Sequence, residues 1–182
     1  WAASQGHTNV VQALLSKGAK ITKKDENGKT ALAHAALQGH FSTAKALIKF
    51  GADLNHDLLY AARRGYNKMV NFLLNEKADI DYISVKSETA LALAIQEKHI
   101  ETARILLERG ANTAVQNAKG QTPLMSAVLT GKTEIVKLIF QHLKQESLTA
   151  ELDTTDFIGN TPLMVSADKG FLDIATFLLE RG

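Results

Sequence analysis

Residues 120–131, GQTPLMSAVLTG, and residues 159–170, GNTPLMVSADKG, are two copies of one phrase. A threonine able to cap a helix is followed by a proline suited to its first turn, a short apolar run, and a glycine that stops it. Weaker copies end in AASQG, AALQG and AARRG, closed by Gly6, Gly39 and Gly65. A second phrase (LLSKG, LIKFG and two copies of LLERG) ends at Gly18, Gly51, Gly110 and Gly182, while Gly28, Gly120 and Gly159 each precede a threonine by two positions. All 12 glycines are used in this way. They therefore punctuate an internal repeat and are not linkers or phosphate loops.

With Lys98 standing in for the glycine of the fourth copy, successive first phrases are 33, 26, 33, 33 and 39 residues apart. A modal period of 33 with one deletion and one insertion predicts stacked supersecondary units. In the second unit Thr30 opens an alanine-rich helix ending at Gly39. Residues 41–50 (FSTAKALIKF) then place Phe41, Ala44, Leu47 and Ile48 on one stripe of a second helix. Ala31, Ala33, Ala35 and Ala36 leave little side chain between neighbours, so adjacent units can bury a shared core.

These phrases resemble ankyrin repeats. GQTPLMSAVLTG and GNTPLMVSADKG are similar to that family's G-x-T-P-L-H-x-A-A-x-x-G, and GADLN and LLERGA to its second-helix ending. The resemblance implies an all-α repeat solenoid, an ankyrin-like stack of antiparallel helix pairs with short β-hairpin loops. Six repeats are expected, at about 1–24, 25–55, 56–83 with its hairpin missing, 84–116, 117–153 with an insertion near 144–153, and 154–182. The first and last are incomplete, and the chain is read as a fragment of a longer polypeptide.

Four departures carry expectations of their own. The family's histidine in TPLH is replaced by Ala33, Leu59, Ala92, Met125 and Met164, where apolar packing is expected instead. His56 and Asp57 occupy the TP positions of the third unit. After Leu143 the second helix of unit five is expected to run on into a polar insertion or long loop, 144–156, and the apolar tip Phe157 and Ile158 is either covered by it, the favoured reading, or kept for a partner. Glycine is due but absent at Lys77, Ser87, Lys98 and Leu143, and a bend, soft seam or specialised contact is expected between 77 and 98.

The 45% hydrophobic and 22% charged composition is that of an ordinary globular domain. No apolar run is long enough to span a membrane. A net charge of +2 is too small for a nucleic-acid footprint. With 0 cysteines, disulfides, thiolate metal sites and thiol catalysis are excluded, and a cytoplasmic, intracellular setting is favoured. His7, His40 and His99 share one repeat position, and helices stacked roughly 8–10 Å apart cannot close such a column around one metal ion. Neither GxGxxG nor GxxxxGK[ST] nor GxSxG occurs. Asp153 and Asp156, the one conceivable acid/base pair, read as loop and hairpin start.

The resulting expectation is a monomeric, non-catalytic module with no cofactor and no metal, binding another protein and not nucleic acid. The family's variable groove and tip positions are here Glu26, Asn27, Lys29, Leu37, Gln38, Arg63, Arg64, Val85, Lys86, Glu88, Gln96, Glu97, Lys119, Gln121, Leu129, Thr130, Phe157, Ile158, Asn160, Asp168 and Lys169. Arg63 and Arg64 beside the missing hairpin read either as a solvated helix end next to a tolerated loop deletion or as a notch able to take carboxylates or phosphates. The alternative is a substrate-recruiting or autoinhibitory arm of a larger multidomain enzyme or secreted bacterial effector.

Overall fold

A computed structural model describes residues 1–143 and 145–181, and among them the regular structure is helical, with no strand. Five helices are first members of pairs: α2 (Ala31–Leu37), α4 (Leu54–Arg64), α6 (Ala90–Gln96), α8 (Pro123–Leu129) and α11 (Pro162–Asp168). Six are second members: α1 (Thr8–Ser16), α3 (Phe41–Lys49), α5 (Asn67–Asn75), α7 (Ile100–Glu108), α9 (Thr133–His142) and α12 (Leu172–Leu179). One more, α10 (Gln145–Asp153), belongs to neither set. Gly182, expected to end the sixth pair, and Lys144, expected to begin the insertion, lie outside the described residues. Among those described, no helix is long and apolar enough to cross a membrane.

The fold is an all-α repeat solenoid, and its contacts divide it into two compact units. Trp1–Ala61 joins Tyr66–Asp79 in the first, and Ala62–Gly65 joins Ile80–Gly182 in the second. In the first unit α1 packs on α3, and α2 packs on α3 and α5. In the second, α6, α8 and α11 make one row, α7, α9 and α12 another, and each first helix meets its own partner. Small residues permit the approach: Ala33, Ala35, Ala36, Ala92 and Ala94 are all buried. Leu91, Leu93 and Ile95 add large side chains that are fully buried, each worth roughly 1.5–3 kcal/mol.

Local chemistry sets the helix starts. Thr30, Thr89, Thr122 and Thr161 hold extended backbone, and each accepts through Oγ1 the N–H of the residue three ahead, at 3.0 to 3.3 Å. The reversal between paired helices passes through one residue at positive φ: Gly6, Gly39, Gly65, Gly131, Gly170 or Lys98. Positive φ recurs at the second-helix ends and at the turn tips, so that eleven glycines hold it in all, and the only other residues with positive φ among those described are Lys77 (72°), Ser87 (57°) and Lys98 (61°). These are three of the four sites where glycine was due. Leu143, the fourth, is extended (φ −73°, ψ 136°), because α9 stops at His142 instead of running on.

At three reversals space is scarce as well. A Cβ on Gly6 would lie 2.7 Å from the His40 ring, on Gly65 2.7 Å from His99, and on Gly131 3.0 Å from Phe171. His99 Nε2 is also 3.1 Å from the Arg63 carbonyl oxygen. The histidines thus lie at helix turns, each packed on the glycine of the preceding turn.

Other expectations need correction. The β-hairpins are reduced to five-residue turns: Asp25 N–H donates to the Lys29 carbonyl, but the Lys29 N–H returns to Asp25 Oδ1, which takes the place of a second ladder rung. Within the expected insertion, 145–153 are not a loop but α10, which packs on α11. In α3 the buried residues are Thr43, Ala44, Ala46 and Leu47, whereas Phe41 is largely exposed and stacks on Phe72 at 5.0 Å. Among the TPLH replacements Ala33, Leu59, Ala92 and Met125 are buried, but Met164 is 56% exposed. Residues 1–7 form turns, not a helix end.

Left-handed backbone costs a residue with a Cβ about 1–2 kcal/mol, so Lys77→Gly is expected to raise unfolding free energy by about 0.5–1 kcal/mol in urea titrations. Gly65→Ala should cost about 2 kcal/mol or more. Gly39→Ala, with the same φ class but nothing within 4 Å of its Cβ, should cost less.

Candidate binding groove

The 21 candidate residues fall into three structural sets, and none of them is buried. Glu26, Asn27, Val85, Lys86, Lys119, Phe157 and Ile158 occupy the turn tips. Lys29, Glu88, Gln121 and Asn160 are the residues on which the chain returns. Leu37, Gln38, Arg63, Arg64, Gln96, Glu97, Leu129, Thr130, Asp168 and Lys169 end the first helices.

One device builds all four tips. Asp25, Ser84, Asn117 and Asp156 each accept, through a single side-chain oxygen, the N–H groups two and four residues ahead, at 2.9 to 3.2 Å. Positive φ at Gly28, Ser87, Gly120 and Gly159 then closes the turn. In the first tip Asp25 Oδ2 also lies 2.8 Å from His34 Nε2, and the Lys29 N–H holds the Asp25 carboxyl below the usual range. His34 therefore supplies a polar brace that the missing TPLH histidine does not.

Exposure at the tips is high: 100% for Val85, 73% for Phe157 and 84% for Ile158. Cover of Phe157 and Ile158 by the insertion does not occur, because α10 turns its buried Glu151 towards Thr113. Phe157 instead lies against the preceding tip. Its N–H donates to the Lys119 carbonyl at 3.1 Å, and a Cβ on Gly120 would fall 2.5 Å from its ring.

Nine candidates converge on two adjoining clefts in the second unit. One, of about 290 Å³, includes Gln96, Lys119, Gln121, Leu129 and Thr130 in its lining. The other, of about 350 Å³, shares Gln121 and Leu129 and adds Ile158, Asn160, Asp168 and Lys169. Lys98, Ser126, Asp156 and Val165 also line these clefts but were not among the sequence candidates. A due glycine at 98 was the available signal for the first of them. The Arg63 and Arg64 notch is not a pair of open guanidiniums, since Arg63 bonds Glu88 at 2.9 Å. Both partners of that bond are candidates, and an exposed pair of this kind is worth at most about 1 kcal/mol.

Before α4 the first unit has no tip. Asp53 Oδ1 accepts the N–H groups of Asn55 and His56 at 3.0 Å each, which starts the helix straight from the preceding loop. Asp57 follows, buried, with the Thr30 hydroxyl donating to Oδ2 at 2.7 Å, and burial pushes its carboxyl up to about 6. In the second unit burial pushes Glu151 up to about 7, against a hydrogen bond from Thr113.

A family model described as ankyrin repeats matches the chain in three copies, over residues 1–57, 55–117 and 112–182. The Caenorhabditis elegans ankyrin repeat and KH domain-containing protein mask-1 is 35% identical over 79% of this chain, which spans 6% of that relative. The putative ankyrin repeat protein YahD of Escherichia coli is 28% identical, with 100% of this chain and 94% of the relative covered. A crystal structure of an ankyrin repeat domain from Acinetobacter baumannii matches with a TM-score of 0.75 at 30% identity, covering 100% of this chain and 95% of that one.

Asp57 binds its proton more tightly folded (about 6) than unfolded (3.8), so the stability it contributes is complete below pH ~4 and is lost as pH rises through about 6. Glu151 acts in the same sense, its contribution being lost between pH ~4.5 and about 7. Urea midpoints measured from pH 4.5 to 8 should fall with pH. Asp57→Asn should remove the part of the fall between pH 4 and 6, of the order of 2–3 kcal/mol.

Proposed function

The chain belongs to the ankyrin-repeat family, and from that premise we propose that it is a non-catalytic module that binds another protein through its first-helix ends and turn tips. Ankyrin repeats are generally protein-interaction modules. The observation that carries the reading for this chain is the convergence of nine groove candidates on two adjoining clefts. Apart from Thr130, whose hydroxyl donates to the Ala127 carbonyl and accepts the Lys132 N–H, those side chains take no part in backbone hydrogen bonds among the described residues, so the surface can change while the fold persists.

The chemistry of the clefts fits a macromolecular partner better than a reaction. Apolar Leu129, Ile158 and Val165 lie among amides and ions, a mixture that supplies contact area and orientation. Across the 21 positions six cations stand against four acids, which supports a protein partner over a nucleic acid.

Binding partners selected from a displayed protein library test the reading. Leu129→Asp combined with Ile158→Asp should weaken capture at least tenfold with melting unchanged. Glu108→Lys, on the second helix of its pair, should leave capture intact. Equal loss with both variants, or loss with neither, would remove the groove assignment.

A further inference from the structure

The two clefts of the second unit differ in charge. The one bounded by Lys98 and Lys119 has no carboxylate in its lining, and neither ammonium group makes an ion pair among the described residues. The same cleft is lined by Gln121, whose Oε1 accepts from Asn117 Nδ2 at 3.1 Å. That bond occupies the acceptor end of the amide and leaves its NH₂ group as a further donor. Two cations and a donor amide, with no acid to neutralise them, make a site for an anion.

Lys98 carries an independent mark. It holds φ 61° at the reversal where Gly39, Gly65, Gly131 and Gly170 stand in the other pairs. Glycine would satisfy that backbone more easily, so lysine is a strained choice for folding, and strain of this kind gathers at functional positions.

The neighbouring cleft is mixed where the first is cationic. Leu129, Ile158 and Val165 line it beside Asp156, whose Oδ1 is taken up by the N–H groups of Ile158 and Asn160, and its one cation, Lys169, pairs with Asp168 at 2.9 Å. The Phe157 N–H on the Lys119 carbonyl ties together the two tips that carry Lys119 and Ile158. The cationic and apolar subsites are therefore held in one register.

We propose that the two clefts together bind an extended segment of a partner protein, with an Asp or Glu carboxylate between Lys98 and Lys119 and an aliphatic or aromatic side chain against Leu129 and Ile158. This rests on the reading that the chain binds proteins through this face. Lysine suits the first role because a mobile ammonium serves a carboxylate without demanding the two-pronged geometry of arginine. The apolar contact supplies affinity, and the charge supplies choice among segments and a faster encounter.

The test is a random twelve-residue peptide display library panned against the chain, followed by affinity measurement on the leading synthetic peptide. Enriched sequences are expected to pair an acidic residue with an aliphatic or aromatic one. The leading peptide should bind at least tenfold more weakly to a Lys98→Gly, Lys119→Ala variant, which keeps its fold because glycine suits φ 61°. Replacing the peptide's acid by its amide should cause a similar loss in the native chain and little further loss in the variant.

Peptides enriched without an acidic preference, yet lost on Leu129→Asp with Ile158→Asp, would overturn this inference and leave the protein-binding reading standing. Peptides indifferent to every groove substitution would overturn both. Failure to enrich any peptide would overturn the inference, which requires an extended segment to suffice.

Discussion

A chain that reverses between two helices, and does so again every 33 residues or so, needs one residue of left-handed backbone at each reversal. What that residue carries decides how near the next helix pair can come. At Gly6, Gly65 and Gly131 the following ring, His40, His99 or Phe171, sits where a Cβ would have been. The contact joins successive pairs without a large interlocking side chain. The burial of α6, α8 and their neighbours becomes possible once that distance is set. The alanine-rich first helices are the complement of this closeness, since larger side chains would hold the rows apart.

The fold was legible because its signals are backbone requirements that few residue types satisfy. Threonine caps before α2, α6, α8 and α11 and the reversing glycines each have one physical reading, and they agree with one another. Even their gaps were informative, as Lys77, Ser87 and Lys98 keep the conformation that the missing glycine would have held. Where the reading failed, a long-range contact had decided the outcome. Phe41 obeys a helical period yet stays partly exposed, stacked on the buried Phe72, and nothing local in residues 144–156 distinguishes a polar loop from a short helix anchored by Glu151.

The groove was legible only as a set of positions. Register placed all 21 candidates on accessible surface, because exposure follows from the place of a residue within its repeat. Which of them share a cleft depends on how adjacent tips meet, as Phe157 meets Lys119, and no single repeat encodes that. The Arg63 and Glu88 pair makes the same point. Each residue was a candidate by itself, and their mutual neutralisation appears only when the two repeats are side by side.

The four tips have a further property. Each is a tight turn that presents exposed residues between two antiparallel arms, and unpaired arms of that kind are where other chains are recruited into sheets. Here the N–H that would extend the ladder, on Lys29, Glu88, Gln121 or Asn160, is already held by the side-chain oxygen four residues before it. Each turn therefore closes on its own opening residue after a single backbone rung, and the exposed Val85, Phe157 and Ile158 stand on arms too short to extend as strands.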